Sequence, residues 1–112
     1  MWVFTTDGFF SIVHNKHCSD EELSVRARSR EDLGKFLKKS GHLIEIIEFS
    51  SADYRYRAQV PREVVAQYLS RQAMETNYGN FQEACLRSGF SMDRIGALND
   101  IHAECRKSWK DD

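Results

Sequence analysis

The chain has 112 residues, 41% of them hydrophobic and 29% charged, proportions that suit a globular domain and exclude a disordered or collagen-like chain. A formal net charge of −1 and a sequence pI near 6.4 exclude the basic signature of a histone-like protein or a non-specific DNA coat, so any anion site must be a local patch. One domain over residues 1–112 is the expectation at this length.

Trp2 to Thr6 and Phe9 to His14 are rich in aromatic and β-branched residues and flank Asp7-Gly8, the dipeptide preferred in a two-residue type I′ turn, which predicts an N-terminal β-hairpin. Residues 15–22 are polar without period and read as a loop. Alternation in Leu23 to Arg28 predicts a half-buried strand with Ser24, Arg26 and Arg28 on its outward side. Ser29 has the chemistry of an N-cap, Asp32 suits the first turn, and a short helix carries Leu33, Phe36 and Leu37 on one face until Gly41 stops it. Leu43 to Phe49 and Tyr54 to Val60 form a second predicted strand pair around Ser50 to Asp53. Pro61 suits the first position of a helix with a Val64, Val65, Tyr68, Leu69 stripe running toward Met74. Asn80 with Glu83 marks the start of a third helix bearing Phe81, Ala84 and Cys85. Ser91 caps a last one, in which Ile95, Leu98, His102, Cys105 and Trp109 recur at three- and four-residue spacing, so that His102 and Cys105 are expected in the core. The order β-β-β-α-β-β-α-α-α predicts an α+β fold, a mostly antiparallel sheet with helices on one face.

Cys18, Cys85 and Cys105 are an odd number in a chain of this size, which argues against a disulfide scaffold and for a reducing cytoplasm. The first residues lack the basic region of a signal peptide, and no segment approaches the ~20 apolar residues of a membrane span.

Four stretches carry a resemblance: Met-Trp-x-Phe-Thr followed by Gly-Phe-x-Ser-x-Val over residues 1–13, Val-Arg-Ala-Arg at 25–28, Asp-Tyr-x-Tyr-Arg at 53–57, and Tyr-x-Asn-Phe at 78–81. In these the chain resembles a family of small uncharacterised bacterial proteins, departing from it at Gly79, where the relatives carry an acidic residue. The resemblance implies a bacterial or phage origin and brings no activity and no catalytic residue.

Four site hypotheses follow from the residues. By strand parity Arg26 and Arg28 share an outward face, as do Arg55, Arg57 and Gln59 on the later strand, so that four guanidiniums converge if both strands join one sheet. The opposing reading is ordinary cross-strand pairing with Glu45 and Glu48. His14, His17 and Cys18, with His102 and Cys105, supply metal-ligand chemistry without the paired spacing of a zinc site, so no metal and no cofactor is expected. Asp53 beside Tyr54 and Arg57, with His14 at a strand end, is the only catalytic grouping. Trp2, Phe4, Phe9 and Phe10 give one hairpin more aromatic surface than a single face hides, which suits an interface with a partner or a second copy of the chain. The expected function is a non-catalytic module that binds an anionic partner (RNA, a nucleotide or an acidic protein surface) through Arg26, Arg28, Arg55 and Arg57. The alternatives are a small enzyme acting on a phosphodiester and an inhibitory protein docking through its aromatic hairpin.

Overall fold

A computed structural model describes residues 1–111. The chain divides into two compact units, Met1–Thr76 and Asn77–Asp112. In the first, strands β1 (Trp2–Thr5), β2 (Gly8–Val13), β3 (Glu22–Ala27), β4 (Ile47–Glu48) and β5 (Tyr56–Pro61) form one antiparallel sheet in the order β1-β2-β3-β5-β4. Helices α1 (Arg30–Ser40) and α2 (Arg62–Glu75) pack on one face of it. This is the α+β architecture expected from the sequence, with the helix-facing side of the sheet supplying Phe10, Ile12, Val25, Ala27, Ala58 and Val60 to the core. Leu33, Phe36 and Leu37 of α1 and Val64, Val65 and Tyr68 of α2 complete it. The rings of Phe10, Phe36 and Tyr68 make its centre, with 5.1 Å between Phe10 and Phe36 and 3.9 Å between Phe36 and Tyr68.

The helix signals act as their chemistry requires. Ser29 accepts from the backbone N–H of Asp32, Asn80 from that of Glu83 and Ser91 from that of Arg94, satisfying donors that the first turn leaves without partners. Gly41 closes α1 at φ 75° with its N–H on the Lys38 carbonyl, the left-handed stop that glycine adopts most cheaply.

Three local readings shift. The hairpin is present, but Thr5 pairs with Gly8, so Thr6 and Asp7 make the turn and Gly8 opens β2. No non-glycine residue among those described has positive φ, which excludes the type I′ turn expected at Asp7-Gly8. Gly8 is needed for another reason: at φ 150° it lies against Asp32, whose Cβ would be 2.7 Å from an added methyl. The strand expected over Leu43 to Phe49 shrinks to Ile47–Glu48. Ile44 and Ile46 produce the alternation by packing against the core rim, while Leu43 is fully exposed. Pro61 ends β5 and precedes α2, whose first residue is Arg62.

In the second unit α3 (Phe81–Arg87) pairs with α4 (Met92–Ser108). Ala84, Cys85 and Ile95 are buried there, whereas His102, Cys105 and Trp109 are exposed, contrary to the expectation that His102 and Cys105 belong to the core. Seven residues of α3 cannot cover seventeen of α4 at 1.5 Å rise per residue, so the stripe continues past the end of its partner.

Gly8→Ala is expected to destabilise the protein by ~2 kcal/mol or more through the collision with Asp32 and the unfavourable φ, read as a lower urea midpoint at unchanged slope. An exposed Cys105 is expected to react with a thiol reagent in the native protein, and buried Cys85 only after unfolding. Equal rates at the two would contradict the burial described.

Candidate functional site

The sheet face turned away from α1 and α2 carries the polar and aromatic residues of alternating parity. Register defines its rows. Trp2 opposes Ser11, Ser11 opposes Arg26, Arg26 opposes Arg57, and Arg57 opposes Ile47, so one line of side chains crosses all five strands with two arginines at its middle. The adjacent row begins with Phe4 opposite Phe9, whose rings stack at 4.4 Å and 14°. Trp2 meets Phe9 edge-on at 6.0 Å, and Tyr54, just before β5, meets Phe9 at 6.3 Å.

The four predicted arginines are not equivalent. Arg28 donates from Nε and Nη2 to the two carboxylate oxygens of Asp53 at 2.8 and 3.0 Å, a fork that matches carboxylate geometry. These bonds hold the Asp53 carboxyl below, and the Arg28 guanidinium above, their ordinary pKa values. Arg55 lies outside the strand, its Nε 3.9 Å from Glu48, a loose pair in which the predicted glutamate takes part. Glu45 is exposed and outside β4.

Arg26 and Arg57 differ from both. Arg26 donates to the Ser11 hydroxyl at 2.6 Å and lies over the Tyr54 ring, Cζ to centre 4.6 Å. Arg57 donates from Nε to the Tyr54 carbonyl at 3.1 Å and lies over Phe49 at 4.7 Å. Neither forms an ion pair among the described residues, although Arg26 is near enough to Asp53 to help depress its pKa. Tyr54 is the organising ring, since Arg28 also lies 4.4 Å from its centre. Cation–π contact aligns the guanidiniums without consuming their charge.

The remaining predicted groups separate. Phe10 is fully buried between sheet and helices, so the hairpin presents only Trp2, Phe4 and Phe9 to the outer face. Asp53 serves Arg28, and His14 contacts the Ser19 carbonyl within its own loop, so no catalytic grouping forms around them. Cys18 donates to Gln59 and Asn15, and no cluster of three metal-ligating side chains occurs among the described residues.

A second polar cluster, on the helix side, is not foreshadowed by any sequence pattern. Asp7, 3% exposed, accepts from the Tyr68 hydroxyl at 2.6 Å and the Gln72 amide at 3.3 Å, and its other oxygen lies 2.6 Å from Lys39 Nζ. Thr5 Oγ1 is 2.9 Å from the Tyr68 hydroxyl and accepts from the Asp7 backbone N–H. Burial, reinforced by Asp7, pushes the Tyr68 phenol far above its usual pKa, so it serves as a fixed donor.

Comparison of the chain with protein-family models, with curated proteins and with solved structures found no match. No described helix is long and apolar enough to cross a membrane.

Tyr68→Phe is expected to cost ~1–3 kcal/mol, because a buried carboxylate loses a donor. The pH dependence separates this from simple packing. The folded phenol keeps its proton where the unfolded one, near pKa 10, loses it, so wild-type stability is complete below pH ~10 and falls above it. Denaturant midpoints measured from pH 9 to 11 should fall more steeply for wild type than for Tyr68→Phe.

Proposed function

We propose that this chain is a binding module whose outer sheet face holds an anionic, phosphate-bearing partner between Arg26 and Arg57. The observation that carries this reading is the register: two guanidiniums oppose each other on one face without an ion pair. Like charges directly across a ladder are destabilising, whereas a phosphate between them would turn that repulsion into two charge-assisted attractions. Most N–H donors of both groups remain outside the contacts described above. Arg28 and Arg55, already beside Asp53 and Glu48, frame the site and contribute less. A near-neutral chain with such a local patch binds through a few phosphate contacts, unlike a basic coat protein.

Trp2 at 73% exposure favours a second reading, in which the hairpin docks on a protein or on another copy of the chain. Salt distinguishes the two, because phosphate recognition weakens as salt rises and apolar docking does not.

The test is fluorescence polarisation with short labelled RNA, DNA and nucleotides at low salt. Wild type is expected to bind with an affinity that falls as salt is added. Arg26→Ala with Arg57→Ala should keep the melting temperature within a few degrees and lose about 100-fold in affinity, as two charged hydrogen-bonding groups are removed. Full retention of binding by the double variant, or no binding of any phosphate ligand, would remove the reading.

A further inference from the structure

We infer that the partner is a single-stranded nucleic acid laid across the strands, with a phosphate on Arg26 and Arg57 and flanking bases stacked on Trp2 at one edge of the sheet and Phe49 at the other. This rests on the anion-binding reading of the same face and names its ligand.

The first support is the alignment of the row. From Trp2 on β1 to Ile47 on β4 the paired positions cross every strand of the sheet, and at ~4.8 Å per strand this spans about 19 Å. Sheet surfaces that recognise single strands stack two or three bases. The cations are central, Trp2 ends the row on β1, and Phe49 lies two residues beyond Ile47 at the other edge, so a backbone charge can be held with bases splayed to either side.

The second is the balance of ring to charge. Trp2, Phe4, Phe9, Tyr54 and Phe49 gather on a face where, among the described residues, two guanidiniums stand outside ion pairs. An acidic peptide would bring several carboxylates to those two cations and no π-surface to the rings. A single-stranded oligonucleotide brings few phosphates and a flat base for each ring, and base–aromatic stacking is tolerant of sequence. A duplex does not fit, because its base faces are closed by stacking and a broad sheet face cannot enter its grooves.

The third is that Trp2 is largely open to solvent. Trp2 is 73% exposed and meets Phe9 in an edge-to-face contact, whereas Phe49 is 39% exposed, with Arg57 over its ring at 4.7 Å and His17 at 6.3 Å. Phe4 and Phe9, by contrast, are only partly exposed and already stack on each other. Gln59 shares the outer parity beside Arg57 and places an amide next to the row.

Trp2 also supplies the readout. The chain has two tryptophans, so Trp109→Phe leaves Trp2 as the sole indole reporter. This protein is titrated with an eight-residue oligouridylate, the corresponding RNA duplex, inorganic polyphosphate of matched charge and polyglutamate. Oligouridylate is expected to quench Trp2 fluorescence and to bind at least about tenfold more tightly than polyphosphate, the margin that stacking of even one base provides. Trp2→Ala, followed by polarisation of labelled ligand, should lose about tenfold for oligouridylate while leaving polyphosphate unchanged, whereas Phe49→Ala, which also removes the ring beneath Arg57, should lose at least about tenfold for oligouridylate. Circular dichroism confirms that both variants stay folded. Polyphosphate binding as tightly as oligouridylate, duplex matching single strand, or aromatic variants that lose nothing would overturn the inference while the anion site stands. Binding of polyglutamate alone would overturn it in favour of an acidic protein, and failure of every polyanion would remove the anion site as well.

Discussion

A buried carboxylate at the tip of the first hairpin holds the larger unit in one arrangement. Asp7 is almost inaccessible and is satisfied from two helices at once, by Lys39 of α1 and by Tyr68 and Gln72 of α2. A charge placed there without these partners would cost several kcal/mol, on the order known for unpaired buried ions. The hairpin tip, α1 and α2 are thereby fixed to a common point, and Gly8 admits the close approach of Asp32 beside it. A slip of one residue in β2 would break this cluster and exchange the faces of the hairpin, exposing Phe10 and burying Phe9.

The outer face follows from that constraint. Because Phe10 meets Phe36 and Tyr68 and Ile12 joins the same core, Phe9 and Ser11 turn outward, and the ladders carry the same parity to Arg26 and Arg57. Tyr54 then aligns Arg26 and Arg28, while Asp53 neutralises only the second. The result is a surface of modest charge and large aromatic area on a sheet whose core is filled from the other side.

Much of this is legible in the residues. Period-two alternation gives the arginine parity, and Ser29, Asn80 and Ser91 declare their caps because N-capping is a local event. Tertiary effects are less visible. Ile44 and Ile46 alternate like a strand but pack on the rim of the core without a ladder, and the stripe of His102, Cys105 and Trp109 implies burial that a seven-residue neighbour cannot provide. Which arginines remain without an ion pair depends on a turn reaching from Asp53 to Arg28, a contact that joins distant parts of the sequence. Asp7 is the least legible of all, since a turn aspartate and a buried anchor read alike until the helices are in place.

The opposition of Arg26 and Arg57 also bears on how the sheet assembles. The three-stranded meander of β1, β2 and β3 forms from neighbouring segments, but the β3–β5 ladder must close a loop from Arg28 to Arg55 that contains α1 and β4, and loop entropy makes such pairing slow relative to local hairpins. The two guanidiniums meet only when that ladder zips, so their repulsion is added to a step already opposed by chain entropy. Screening of that repulsion by salt therefore eases the step at which the sheet closes. The face on which the two arginines meet is also the seam along which the fold is completed.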